Sequence, residues 1–319
     1  MGKAIPYNNI VSRTEVQALI QEQVSNIMLG ELENTSAAMN LFTPIQVPTN
    51  QTRFPVLSAL PTAYFVTGDT GIKQTTEANW ANKYLDVEEI AAIVPVPDAV
   101  LEDASFDIFG AITPLLRNAI ARTLDAAIFF GVSKPAAWPV DIAAAAVAAG
   151  NVRARGTATG PQGGIAEDVN QLLATLEADG YGATGFVANT TMRSRFRGAR
   201  DANGQLLADV NGGVTNIWGM PTTYPMAGLW PTGLSAAELF AIQRENFILG
   251  IRHDFTVTLH SEGVITDGTG LVVYNLMQQD MSAIRVVFRA GWQVSNPMNY
   301  QGGAEATRYP AAVLRSPSV

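Results

Sequence analysis

Apolar residues recur at helical spacing through the stretch 96–131, VPDAVLEDASFDIFGAITPLLRNAIARTLDAAIFFG. Ile108, Ile112, Leu115, Leu116, Ala119, Ile120, Leu124, Ala127 and Ile128 fall on one helical face. Ser105 or Asp107 offers an N-cap, and the acids Glu102, Asp103 and Asp107 suit the positive end of a helix. Gly131 supplies a stop. Pro114 breaks the pattern, because a proline has no amide hydrogen to give the preceding turn. It predicts either a kink or the first residue of a second helix capped by Thr113. A helix of about 24 residues measures about 36 Å at 1.5 Å per residue. Such a helix is a beam, and it holds no nucleophile, histidine or phosphate loop.

The same reading predicts a helix over 12–32, where Val16, Leu19, Ile20, Val24, Ile27 and Met28 share helical spacing. Prolines 44, 48, 55 and 61 then forbid helix and predict an extended arm. Two β-prone runs, RFPVLSALPTAYFV and KYLDVEEIAAIVPVP, flank a polar, turn-rich middle and predict a long two-stranded ribbon over 51–96. A lone hairpin is marginal in water, so this ribbon needs a partner surface. Its tip carries Lys73, Glu77, Trp80 and Tyr84, and a tryptophan in a polar loop suits an interface anchor. Further along, 165–176 reads as a helix, GFVAN as a short strand, and 247–260, 270–276 and 283–294 as strands. Helices and strands mix without βαβ alternation, so the class is α+β.

Composition sharpens this picture. In 319 residues the charged fraction is only 15% against 47% hydrophobic. Free soluble domains usually carry about 25% charge, so the low value points to surfaces that meet other subunits. The net charge of -8 excludes a chain that grips nucleic acid over its whole surface. The absence of cysteine excludes disulfides and thiolate metal sites. The N-terminus lacks the apolar core of a signal peptide, and the longest bland apolar run, 142–150, is too short to span a bilayer. The expectation is a soluble chain made in the cytoplasm, with no membrane partner.

The candidate motifs thin out on inspection. GYGATG at 180–185 fits G-x-G-x-x-G, but a helix precedes it and a strand follows, the reverse of a dinucleotide site. It reads as a helix-to-strand turn, and no cofactor is expected. His253 and His260 lie seven apart in a strand, which places them on opposite faces and argues against a shared metal. Asp201 opens DANG, which lacks the twelfth-position glutamate of a calcium loop. Arg193, Arg197 and Arg200 share a helical face in MRSRFRGAR and form a candidate basic interface, with Arg195 beside them. The acid pairs Glu88/Glu89 and Glu102/Asp103 have no nucleophile or activating partner nearby, so no catalytic residue is assigned.

Taken together, these segments resemble the tailed-phage major capsid proteins of the Hong Kong 97 fold. The resemblance rests on Val96, Pro97, Leu101, Glu102, Asp103, Asp125 and Gly131 around the long helix. It rests further on Gly250, Arg252, Arg285, Arg289 and Pro297 in the late strands, and on TGFVANTTMRSRF, DANGQLL and IWGMPT between. It spans residues 35–300. It implies an N-terminal arm over 1–50, an extended loop over 51–96, and a peripheral domain of 97–131 and 244–300 with the helix as its spine. It also implies an axial domain of 132–243 plus 301–319. The implied function is a structural protein, not an enzyme, whose hexamers and pentamers close an icosahedral virion shell around double-stranded DNA in the bacterial cytoplasm. The implied partners are a portal, a separate scaffolding protein and a decoration protein.

Two departures from that family's pattern matter. The long N-terminal scaffolding segment of many members is not seen before the arm, so the expectation is that scaffolding is either a separate protein or absent. Lys73 could serve as a cross-linking lysine, but Asp280 and Val287 stand where the cross-linking asparagine and glutamate are needed, so no covalent link is expected. Two other readings compete: an encapsulin-type compartment shell, and a nucleotide-binding enzyme built on GYGATG.

Overall fold

The computed structural model describes residues 36–66, 71–104, 107–159, 163–200, 216–225, 228–232, 236–301 and 304–317. The helix expected over 12–32 and the DANG turn lie outside the described residues. In chain order the elements begin with α1 (Ala37–Leu41), β1 (Thr43–Gln46), β2 (Gln51–Ala59), β3 (Asn79–Asp86), β4 (Glu88–Pro97), α2 (Asp98–Asp103) and α3 (Ile108–Phe130). Next come α4 (Ile142–Ala148), β5 (Val152–Ala154), α5 (Ile165–Ala178), β6 (Gly185–Ala188), α6 (Thr191–Arg197), β7 (Asn216–Ile217), β8 (Met220–Thr223) and β9 (Ala237–Ile242). The chain ends with β10 (Phe247–His260), β11 (Val264–Thr266), β12 (Val272–Asn275), β13 (Met281–Val294) and β14 (Ala311–Arg315).

The long helix forms as one element. The Asp107 carboxylate accepts the Gly110 N–H at its start, and Gly131 ends it with φ 68° in the left-handed region. Glu102 and Asp103 do not serve this N-terminus; they belong to α2. Pro114 sits inside the helix rather than starting a second one. The buried face is narrower than the sequence suggests at its start and fuller at its end. Leu115 and Ala119 are exposed, while Asp125 and Phe129 are buried. That face covers a four-stranded sheet of order β1-β10-β13-β4.

A six-stranded sheet of order β5-β14-β9-β6-β8-β7 holds the middle of the chain together with its C-terminal strand. Every residue of β9 is buried, because both of its faces are covered. Phe240 and Ile242 face the core that α3 and α4 share with the four-stranded sheet. Leu239 and Ala241 face a second core under α5 and α6, with Val169, Leu172 and Leu176. One apolar core therefore runs continuously from one sheet to the other.

The ribbon is shorter than the sequence reading. β2 and β3 pair antiparallel, with Gln51 opposite Asp86 and Ala59 opposite Asn79. The second β-prone run is two strands, not one. It breaks at Val87, and β4 leaves the ribbon to pair with β13 from Met281 opposite Pro97 to Ala290 opposite Glu88. The two-stranded ribbon thus ends at Asp86 instead of Val96, because alternating burial along β4 finds its partner in the sheet.

Candidate functional site

The surfaces that stand out are mechanical. The ribbon is fixed at its root and again at Leu57, whose carbonyl accepts the Met298 N–H at 2.9 Å, and is bare farther out. At the root Leu85 is fully buried. It lies against two glycines, Gly250 and Gly291, which face each other across β10 and β13. A Cβ on Gly291 would fall 2.2 Å from the Asp86 carbonyl oxygen, and one on Gly250 would fall 2.8 Å from a Leu85 methyl. Only glycine allows the strand to cross the sheet so closely. Trp138 Nε1 donates to the Asp86 carbonyl at 3.1 Å, and Gln293 Nε2 donates to the Tyr84 carbonyl at 2.6 Å. Lys83 forms an ion pair with Glu305.

Beyond this root the arm has little covering. Trp80 is 65% exposed, Phe65 103% and Ile72 87%. Tyr64 and Tyr84 are exposed as well. The outer part is held in shape by the Tyr64 hydroxyl donating to the Gln74 carbonyl (2.6 Å) and the Thr62 N–H donating to Thr76 Oγ1 (2.8 Å). Lys73 and Glu77 are both exposed, and Glu77 accepts from Asn79 Nδ2 at 2.7 Å. Lys73, Glu77 and Trp80 lie on the outer arm, but Tyr84 does not share the tip: it pairs with Arg53 beside the root.

The predicted basic face does not form as a helical stripe. The helix ends at Arg197 with Gly198 as its cap, so Arg200 lies outside it. Arg193 stacks over the Tyr224 ring at 4.3 Å, and burial pushes the Tyr224 hydroxyl up to about 12 while the Arg193 charge opposes the shift. The sequence reading passed over Arg195 as a partner. Its guanidinium, with that of Arg155, clamps the buried Glu238, each at 2.6 Å. This closes β9 against β5 and α6.

Asp125 is the buried acid of α3. It accepts from Ser36 Oγ (2.6 Å), Ala37 N (2.7 Å) and Ala38 N (3.1 Å), and so fixes the segment just before β1 to the long helix. Burial pushes its carboxyl up to about 6, against the lowering pull of the Ser36 hydroxyl and the Ala38 and Ala37 N–H groups.

The two histidines occupy the same face of β10, contrary to the seven-residue spacing. A β-bulge inserts an extra residue between His253, opposite Arg289, and Thr256, opposite Val287. The extra residue reverses the alternation. His260 then contacts Thr258 Oγ1 at 3.0 Å. Among the described residues no group of three His, Cys, Asp or Glu side chains could hold a metal. GYGATG spans the turn from α5 into β6, with Gly180 at φ 80°. Among the described residues no helix is long and apolar enough to cross a membrane.

Among the described residues the site is a fixed root with an exposed aromatic arm. The chain belongs to the phage capsid family, whose model matches residues 17–299. It is similar to a solved chain from Microbacterium phage Oxtober96, at 34% identity and TM-score 0.82, covering 96% of this chain and 99% of that one. It is similar to one from Mycobacterium phage Cain, at 28% identity and TM-score 0.84, covering 97% and 99%. A structure titled as the capsid of a native GTA particle shares the fold at 17% identity and TM-score 0.66, covering 98% and 100%. No curated relative matches the chain. The expected α+β capsid fold stands, and the protein is a structural, non-enzymatic capsid component of a bacteriophage virion.

Proposed function

We propose that this protein assembles as hexamers and pentamers into an icosahedral shell around double-stranded DNA, with the ribbon as the clamp between neighbours. The observation that carries this reading is the contrast between the ribbon's fixed root and its exposed apolar arm. Trp80 and Tyr84 pack on an adjacent subunit, with Lys73 and Glu77 as rim charges of small individual value. Four mechanical parts divide the work. Of the described residues, 36–50 serve as the arm and lend β1 to the edge of the peripheral sheet, 51–86 are the ribbon, α3 with the four-stranded sheet is the peripheral domain, and the six-stranded sheet is the axial domain.

The net charge of -8 favours holding DNA by confinement, with no base-specific readout. A portal, a separate scaffolding protein and a decoration protein complete the particle, which forms in the host cytoplasm. Negative-stain microscopy of the purified chain, with nucleic acid measured on any particles, tests the reading. Closed shells are expected. Monomers alone at high concentration, even with scaffolding protein added, would exclude it.

A further inference from the structure

A second bare surface lies far from the ribbon, at the end of the long β10–β13 hairpin. Residues 261–280 form a small hairpin of β11 and β12, and all but Ile265, Asn275 and Leu276 are exposed. Val264, Leu271, Val272, Val273, Tyr274 and Met277 are among the exposed residues. Two strands that are wet on both faces are marginal in water, so this tip needs a cover. It carries Glu262, Asp267 and Asp280, and no Lys, Arg or His.

The turn at its end is already rigid. Asp267 Oδ1 accepts from Thr269 N (2.9 Å), Thr269 Oγ1 (2.7 Å) and Leu271 N (2.9 Å). These bonds hold the carboxyl below its usual range, so it is charged at neutral pH. A turn ordered in advance loses little entropy on docking.

The stem of the same hairpin has the opposite character. Its outer face holds a hollow of about 380 Å³ lined by Glu89, His253, Thr256, Thr258, Arg285, Val287 and Arg289; Arg289 and Glu89 pair at 2.5 Å and offset each other, so the excess positive charge of the hollow lies at Arg285. The bulge described above is what brings His253 to this face. Arg285 is exposed and makes no ion pair among the described residues. The tip lies past the end of the stem: β10 stops at His260, and β11 and β12 pair as a separate two-stranded sheet.

We propose that the acidic, apolar tip of one copy seats in the basic hollow on the stem of a second copy. Asp267 faces Arg285, and Leu271 and Val273 cover Val287 and the threonines. This contact is independent of the ribbon, but it rests on the reading that copies of this chain pack into a shell.

The chain has no cysteine, so engineered thiols report contacts without background. Particles of the double variant Leu271→Cys/His253→Cys, oxidised and boiled without reductant, are expected to run as multiples of the 34.0 kDa chain. Each single variant is expected to run as the monomer. Multimers from Leu271→Cys alone would mean that tips meet tips and would overturn the proposal. So would monomers from the double variant in intact shells.

A second arm covers a double variant that does not assemble. Asp267→Asn keeps the Oδ1 bonds and removes the charge, and Gly268→Lys enters open space. That tip pair and Arg285→Glu are each expected to lower particle yield at least ten-fold, and together to restore it. Failure of the combination to restore yield overturns the docking. Wild-type chain is assembled in parallel. Shells without the cross-link reject the docking alone, whereas no wild-type shells reject the shell reading and the docking with it.

Discussion

Replacing Asp125 by alanine tests how the chain entering β1 is held to the long helix. The change leaves the Ser36 hydroxyl and the Ala37 and Ala38 N–H groups without their acceptor, and all three residues are buried. Each stranded buried donor costs about 1–3 kcal/mol. The ionised carboxylate is itself costly in that site. Its rise from 3.8 to about 6 corresponds to roughly 3 kcal/mol at 1.36 kcal/mol per pKa unit. The net loss at pH 7 is therefore about 3 kcal/mol.

A folded-state pKa above the unfolded one means that the folded chain holds the proton more tightly. This group's contribution is then fully present below pH 3.8 and is lost as the pH rises through about 6. Between pH 7 and pH 5 the wild type gains on the order of 1 kcal/mol from it, and the variant gains nothing. The difference between the two chains should widen on acidification. Asp125→Asn keeps the two Oδ1 bonds and strands only the Ala37 N–H, so it should lose less than alanine and likewise gain nothing on acidification. Urea unfolding of unassembled chain, followed by tryptophan fluorescence at both pH values, measures this. A loss under about 1 kcal/mol at pH 7, or a difference that narrows at pH 5, would refute the reasoning.

Three further outcomes follow from other contacts. Gly291→Ala drives a methyl against the Asp86 carbonyl, and should cost about 1–3 kcal/mol and loosen the ribbon root, read by melting and by protease cleavage near Val87. Glu238→Gln leaves Arg155 and Arg195 without their shared anion, and should cost about 2 kcal/mol, discounted because both guanidiniums are partly exposed; an unchanged urea midpoint contradicts it. Boiled, reduced wild-type particles should run as single 34.0 kDa chains, and a ladder would reveal a covalent link through Lys73 or another lysine.

The amphipathic stripe and its two caps made α3 legible from sequence, and β10 spans the residues expected of it. The ribbon's end was not legible, because strand propensity says that 88–97 is extended but not which strand it joins. The glycines at 250 and 291 carried a signal, since glycine within a strand marks a close backbone approach, but only the fold shows that Leu85 fills the gap. Asp125 interrupts the apolar stripe of α3, but its role was not legible, because its partners lie 87–89 residues away. The histidine faces were misread because parity holds only in a regular strand, and a bulge leaves no mark in the spacing. The exposed arm of Trp80 and its neighbours was legible because no nearby segment could cover it.

The ribbon's role as a clamp is tested most directly by shortening it. Ala59 lies opposite Asn79, so Asn-Gly in place of residues 60–78 closes the arm with a two-residue hairpin turn, and Trp80→Ala and Tyr84→Ala in the same chain remove its remaining exposed aromatic anchors. The root contacts of Leu85, Trp138 and Gln293 are untouched. Circular dichroism and melting of the shortened chain should match the wild type, while electron microscopy should show no closed shells or fragile ones. Shells of normal yield and stability from the shortened chain would contradict the clamp.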